Sequence, residues 1–143
     1  MTAAIFNKTL FNITQPELEN QARLLAEALV PPCCIALWGD LGAGKSTFAR
    51  AFIRTLSPIF DIPSPTFTLV QTYPSSKGEI WHCDLYRLKS PSNIEDLGLQ
   101  EAFYHHICLI EWPERLGDFL PKNRYNVFIK IGLADRRHYR LEV

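Results

Sequence analysis

The chain has 143 residues, of which 47% are hydrophobic and 21% charged, an ordinary composition for one soluble domain with its own core. Lysine plus arginine and aspartate plus glutamate balance at 15 each, so the formal net charge is zero. The net charge of the chain therefore gives no argument for nucleic-acid or membrane binding. Without a signal-peptide pattern or an apolar run of membrane-spanning length, we expect a cytoplasmic protein whose four cysteines are free thiols.

The first predicted elements are a short strand over residues 5–11 and a helix that begins after Thr14. Thr14 at the N-cap and Glu17 three residues later form a capping-box pattern, with a proline in the first turn. The helix is predicted to run to about Leu29, because two prolines follow. The apolar run Cys33–Trp38 then has the length and composition of a buried strand.

Directly after this strand, residues 39–47 match the P-loop pattern. Glycines at these positions let backbone N–H groups approach phosphate oxygens, where a Cβ atom would clash. Lys45 is expected to lie between the β- and γ-phosphates, and Ser46 to give its hydroxyl oxygen to Mg²⁺. The predicted nucleotide-binding residues of this segment are Gly39, Asp40, Gly42, Ala43, Gly44, Lys45, Ser46 and Thr47.

The rest of the chain alternates between short strands and short helices. Further strands are predicted over residues 66–73, 79–84, 106–111, 126–131 and 137–143. Helices are predicted over residues 48–56, 93–104 (broken near Gly98) and 113–120, and residues 57–65 form a loop. These elements predict an α/β P-loop fold in which a mixed central sheet has helices on both faces, with residues 1–143 as a single domain.

A P-loop enzyme also needs an acid at the end of a strand, to hold Mg²⁺ or its water ligands. Glu111 and Asp84 each end a predicted strand; the alternative for both is a carboxylate that caps the following turn. Thr66 lies where P-loop enzymes often carry a loop that senses the γ-phosphate; the alternative is a turn that enters a strand. Arg87 either contacts phosphate or pairs with Asp84.

Residues 136–140 form the one local basic cluster, Arg-Arg-His-Tyr-Arg. Such a strand is usually a solvated sheet edge protected by charge. Otherwise it meets a nucleotide, RNA or a partner, and we assign Arg137 to the nucleotide on this second interpretation. The histidine spacings fit no zinc site.

The motifs together resemble the bacterial TsaE (YjeE) family. The blocks that carry the resemblance follow the order of that family and extend from residue 39 to residue 114: residues 39–48, 64–70, 82–88, 95–99 and 109–114. The family usually has Thr where this chain has Ser46, which is chemically equivalent, and an aromatic or apolar residue where it has Cys83.

The resemblance implies an ATPase component of the machinery that transfers threonylcarbamoyl to an adenosine of tRNA, working with the TsaD and TsaB proteins. It implies ATP and Mg²⁺ as cofactors, with Lys45 on phosphate and Ser46 and Glu111 on Mg²⁺. Asp84 and Thr66 would belong to the catalytic centre. Thr14 is the candidate for a nucleotide contact near the start of the first helix.

Three hypotheses are open at this point. The first is an ATPase that drives a tRNA-modifying complex. The second is a small-molecule kinase that uses the same P-loop, with Asp84 and Arg87 binding an acceptor, although no stretch is a clear lid. The third is a nucleotide-dependent assembly module with negligible turnover.

Overall fold

The computed structural model describes residues 6–59, 61–63, 65 and 68–143. Its seven strands are β1 (Lys8–Ile13), β2 (Cys33–Trp38), β3 (Val70–Tyr73), β4 (Ile80–Asp84), β5 (Ile107–Glu111), β6 (Tyr125–Ile131) and β7 (Arg137–Glu142). The α-helices are α1 (Gln15–Ala28), α2 (Lys45–Leu56), α3 (Ile94–Leu97) and α4 (Leu99–His105), and Pro91–Asn93 and Pro113–Phe119 form 3₁₀ segments.

All seven strands belong to one mixed sheet in the order β1-β7-β6-β2-β5-β4-β3. Strands β4, β5, β2 and β6 are parallel neighbours in the centre. The antiparallel pairs β6–β7, β1–β7 and β3–β4 complete the two sides. Because β2, β4 and β5 run in the same direction, the P-loop, Asp84 and Glu111 all lie where these strands end, on the carboxyl-terminal side of the sheet.

A hydrophobic core lies on each face of the sheet. On one face α1 and α2 pack against the strands, with Phe48 and Phe52 of α2 fully buried, as their spacing of four residues predicts. On the other face α3, α4 and the second 3₁₀ segment cover β2, β4 and β5 through Ile94, Leu99 and Leu116. The predicted α/β P-loop architecture with helices on both faces is therefore confirmed.

Local sequence signals set both ends of α1. The capping box is present: the Thr14 side chain accepts a hydrogen bond from the Glu17 N–H, and the Glu17 carboxylate accepts one from the Thr14 N–H at 3.1 Å. The hydrogen bonds that the Thr14 N–H and the Thr14 hydroxyl donate to this carboxylate lower the pKa of Glu17. The helix ends at Ala28, one residue before the predicted end, and Lys77 donates hydrogen bonds to the last carbonyls of the helix.

Three expectations need correction. The first strand is displaced from residues 5–11 and runs over Lys8–Ile13, directly into the helix cap. Within the described part of the strand predicted over residues 66–73, the strand begins at Val70, because Leu69 adopts a left-handed conformation (φ 67°) far from the extended dihedrals of a strand. The basic strand β7 is not a sheet edge: β1 pairs with it on one side and β6 on the other.

Candidate functional site

The P-loop lies between the end of β2 and the start of α2, as its sequence predicts. Gly39 is required by close approach, since a Cβ atom at this position would lie 2.5 Å from the carbonyl oxygen of Ile129. Gly44, the N-cap of α2, has φ 119°, in the left-handed region that favours glycine. The loop therefore presents its backbone and the first turn of a helix where β2 ends, and this is a geometry that binds anions.

Lys45 is nearly buried at the mouth of this loop. Its ammonium donates hydrogen bonds to the carbonyl oxygens of Gly39 and Asp40 and lies 3.6 Å from the centre of the Trp112 ring. Burial lowers the pKa of Lys45, while nearby carboxylates, Glu111 first among them, favour the charged form. The P-loop thus holds a fixed cation close to the acids of the site.

Glu111 and Ser46 meet beside the loop. The Ser46 hydroxyl lies 2.9 Å and 3.0 Å from the two carboxylate oxygens of Glu111, to which it donates. Asp84 is aligned with Glu111 in the β4–β5 register, and both carboxylates are buried. With Lys45 and Trp112 these residues line a cleft of about 210 Å³, which we call the strand-end cleft.

The alternative interpretation of Asp84 is also partly correct. Its Oδ1 atom accepts a hydrogen bond from the Tyr86 N–H at 3.1 Å, so the carboxylate caps the turn that follows β4. The same side chain lines the strand-end cleft. Capping the turn and serving the site are therefore compatible, because the two carboxylate oxygens offer about four acceptor positions.

The sequence interpretation missed His82, which lies directly beneath Glu111. His82 is fully buried, and its Nε2 atom is 2.7 Å from Oε2 of Glu111. The available signal was the spacing of two between His82 and Asp84, which puts both side chains on one face of β4. The contact with Glu111 depends on the parallel pairing of β4 with β5, which no local pattern specified.

Trp112 has a backbone conformation that is uncommon for a bulky residue. Its φ and ψ angles are 58° and 52°, in the left-handed region. This conformation ends β5 at Glu111 and turns the indole over Lys45 and against the Tyr86 ring, 5.0 Å away between centroids. Strained residues of this kind cluster at functional sites.

A second cavity, of about 380 Å³, lies on the other side of the P-loop; we call it the helix-start cavity. Thr14, Gly44, Thr47 and Arg137 all line it, so Thr14 and Arg137 do lie beside the loop. The Arg137 guanidinium donates hydrogen bonds to P-loop carbonyls, at 2.7 Å to Ala43 and 3.3 Å to Gly42. Arg137 thus connects β7 to the P-loop through hydrogen bonds.

Two other candidates are less well defined. Thr66 lies outside the described residues, so its predicted catalytic role stays a prediction. Arg87, which we expected near phosphate or paired with Asp84, is not among the residues that line either cavity beside the P-loop.

The donor set of the strand-end cleft fits Mg²⁺. Magnesium prefers oxygen ligands and is usually held by one or two carboxylates, waters and the phosphates of a substrate, without a dedicated protein cage. The Ser46 hydroxyl and the Glu111 carboxylate are adjacent oxygen donors of this type. Within the described ranges, no group of three or more His, Cys, Asp or Glu side chains is placed to hold a metal by itself.

Comparison with known proteins identifies the family. A family described as "Threonylcarbamoyl adenosine biosynthesis protein TsaE" matches residues 13–139. The chain belongs to the TsaE family. A relative from Rickettsia bellii, named tRNA threonylcarbamoyladenosine biosynthesis protein TsaE, is 42% identical over 132 residues, covering 92% of this chain and 91% of its own length. A Bacillus subtilis protein of the same name is 36% identical over 126 residues, covering 87% and 78%.

A solved structure agrees with this assignment. The crystal structure of Bacillus subtilis YdiB superposes with a TM-score of 0.77 at 31% identity, covering 94% of this chain and 84% of that one. Membership of the TsaE family associates the chain with tRNA threonylcarbamoyladenosine biosynthesis, and the P-loop fold associates it with nucleotide binding. In the part of the chain that the structure describes, no helix has both the length and the apolar character needed to cross a membrane.

Proposed function

We propose that this TsaE-family chain is a Mg²⁺-dependent subunit that binds and hydrolyses ATP, and that it supports threonylcarbamoyl transfer to an adenosine of tRNA by a TsaD–TsaB complex. In this proposal residues 1–143 act as one P-loop ATPase domain in the cytoplasm, where tRNA is modified. The observation that carries it is the Ser46 hydroxyl held between both oxygens of Glu111 at the start of the P-loop helix.

The P-loop would bind the phosphates. Its backbone N–H groups and the N-terminus of α2 offer hydrogen bonds and a positive dipole end to the anion. The buried Lys45 supplies the full positive charge, at the mouth of the loop. Asp40, Ala43 and Thr47 belong to the same turn of chain, so the whole segment from Gly39 to Thr47 acts as one phosphate cradle.

Ser46 and Glu111 would hold Mg²⁺, together with phosphate oxygens of the nucleotide. When bound, the ion neutralises charge on the β- and γ-phosphates. Asp84 is aligned with Glu111 on the neighbouring strand. From this position its carboxylate can accept a hydrogen bond from a water molecule and orient it in the strand-end cleft. Thr66 is proposed as a further member of this centre on the family resemblance alone.

The helix-start cavity is the proposed site of the nucleoside. It opens beside Gly44 and Thr47, which are parts of the P-loop and of the first turn of α2. Thr14 and Arg137 line its opposite side. A nucleotide with its phosphates on the P-loop has this cavity of about 380 Å³ within reach for its base and ribose.

Binding and turnover measurements test this proposal. Calorimetry is expected to show ATP binding that is tighter with Mg²⁺ than with a chelator, and phosphate release is expected without any small-molecule acceptor. Phosphate transfer to an acceptor, without hydrolysis, would favour the kinase hypothesis. ATP binding without turnover, even with TsaD, TsaB and tRNA present, would favour the assembly-module hypothesis.

A further inference from the structure

His82 is a buried polar residue for which the proposed mechanism has no role. Its side chain is fully buried on β4, whose neighbouring core residues are Ile80 and Cys83. A histidine costs free energy at such a position unless its ring nitrogens are hydrogen-bonded. The structure gives it one partner, the Glu111 carboxylate, at 2.7 Å from Nε2.

The other ring nitrogen defines the tautomer. Among the described residues, Nδ1 has no hydrogen-bond partner. A proton on Nδ1 would leave a buried donor unsatisfied and would also leave Nε2 without a hydrogen to give to the carboxylate. The arrangement with the proton on Nε2 makes the hydrogen bond that the geometry offers. His82 is therefore a donor to Glu111.

This hydrogen bond restricts the orientation of the Glu111 carboxylate. Oε2 accepts from His82, and both oxygens face the Ser46 hydroxyl at 2.9 Å and 3.0 Å. A carboxylate has about four acceptor positions, so Glu111 keeps capacity for a metal ion while its side-chain rotation is fixed. Partners that orient metal ligands in this way are commonly worth 10- to 100-fold in metal affinity.

We propose that His82 is a positioning residue that, through its hydrogen bond to Oε2, orients the Glu111 carboxylate towards the Mg²⁺–nucleotide site. The inference rests on the proposed function, because it assigns Mg²⁺ to Ser46 and Glu111. It predicts that His82 acts on Mg²⁺ affinity through Glu111 and leaves the metal-independent part of nucleotide binding unchanged.

Two matched substitutions test the proposal. In His82→Gln the amide nitrogen comes near the position of Nε2 and keeps a donor for Glu111. In His82→Asn the amide is shorter, lies near the position of Nδ1 and cannot reach Glu111. Both variants put one amide in the same buried place, so a general cost in stability falls on both. Cys83→Ala, a fully buried neighbour on the same strand, is the control for core damage.

The measurement is a Mg²⁺ titration of the complex between the chain and a non-hydrolysable ATP analogue, monitored by calorimetry. A parallel titration of the analogue in the presence of a chelator measures metal-free nucleotide binding. We expect His82→Asn to raise the Mg²⁺ midpoint about 10- to 100-fold. His82→Gln and Cys83→Ala should stay within about threefold. Equal shifts in the two amide variants, or no shift in His82→Asn, would overturn the proposal.

A double-mutant cycle asks whether His82 acts through Glu111. In the Glu111→Gln background, His82→Asn is expected to change the Mg²⁺ midpoint by less than about twofold, because the group that it orients is already altered. Additive effects in the double variant would contradict the proposed route.

The unmodified chain provides a test that needs no variant to fold. With ¹⁵N-labelled histidine, the ring nitrogen shifts report which nitrogen carries the proton, and we expect the Nε2–H form for His82. The Nδ1–H form would overturn the inference. If the wild-type chain shows no Mg²⁺-dependent nucleotide binding at all, the proposed function itself fails. If the wild type binds Mg²⁺ and nucleotide normally and His82→Asn does so equally well, only the role of His82 fails.

Discussion

The two sides of the P-loop are built in different ways. The strand-end cleft is formed by carboxylates that end neighbouring parallel strands, and these acids, Asp84 and Glu111, are buried. The helix-start cavity is formed by segments far apart in the chain: the cap of α1, the first turn of α2 and the start of β7. One side is positioned by sheet hydrogen bonds and the other by side-chain contacts.

This difference in construction predicts that the two sides of the P-loop affect turnover and binding differently. In the strand-end cleft, the register between β4 and β5 fixes where charge lies, which suits metal binding and catalysis. In the helix-start cavity, Arg137 reaches across from β7 and donates hydrogen bonds to the carbonyls of Gly42 and Ala43, so one residue that lines the cavity also contacts the P-loop. We therefore expect substitutions in the cleft to affect turnover most, and those around the cavity to affect binding.

The largest expected effect is on the rate of ATP hydrolysis, and it depends on the cations in the strand-end cleft. Among the described residues that line it, Lys45 is the only cation. An arginine supplied by a partner can accelerate phosphoryl transfer by about 10³–10⁵. The lone chain should therefore hydrolyse ATP slowly, and a TsaD–TsaB complex should raise the steady-state rate. Fast turnover by the lone chain, unchanged by the complex with or without tRNA, would contradict this prediction.

Lys45→Ala should weaken binding of the triphosphate, because the fixed positive charge at the phosphates is lost. Hydrogen bonds to charged groups contribute about 1.5–3 kcal/mol, so the affinity should fall roughly 10- to 150-fold. Calorimetry with ATP and Mg²⁺ measures the loss. The matched control is Lys130→Ala, an exposed lysine on β6, which should leave the affinity unchanged. Equal ATP affinity in the Lys45 variant would count against the P-loop assignment.

Glu111→Gln should leave the fold intact and reduce Mg²⁺-dependent turnover by at least about tenfold, because one strand-end charge is removed while its shape is kept. Asp84→Asn is the companion variant on the neighbouring strand. Rates measured across a range of Mg²⁺ concentrations separate the two acids. If the Glu111 variant keeps normal hydrolysis and normal Mg²⁺ dependence, Asp84 is the principal acid and the assignment is reversed.

Arg137→Ala tests whether the helix-start cavity supports the P-loop. Loss of its hydrogen bonds to the loop should cost about 1 kcal/mol of nucleotide binding, roughly a fivefold fall in affinity. Arg140→Ala is the matched control on the same strand, since its guanidinium lies 3.2 Å from Glu142 and 4.5 Å from the centre of the Phe128 ring. Identical affinities for both variants and the wild type would restrict the basic cluster to a structural or partner-binding role.

Thr14→Ala should have the smallest effect on the site and a measurable effect on the fold. Loss of the N-cap hydrogen bond should lower the free energy of unfolding by about 1 kcal/mol, and Thr14→Ser should retain it. Denaturant unfolding checks the stability and calorimetry the ATP affinity. A fall in affinity for Thr14→Ala alone would add a nucleotide contact to its capping role. Equal stability of all three proteins would show that the cap contributes nothing.

Much of this protein was predictable because its signals are local. The P-loop with its flanking strand and helix, the capping box at Thr14, the break at Gly98 and the acid that ends β5 all follow from short stretches of sequence. Such patterns restrict the backbone within a few residues, through glycine conformations, caps and apolar periodicity. Family resemblance added the expected roles of these residues and the pathway.

Tertiary structure decided which distant residues meet. The pairing of β4 with β5 brings His82 beneath Glu111, and the pairing of β1 with β7 removes the sheet edge that the basic cluster had suggested. Arg137 reaches the P-loop from 94 residues away. Strand order and register are set by packing summed over the whole chain, so no single segment of the sequence encodes them.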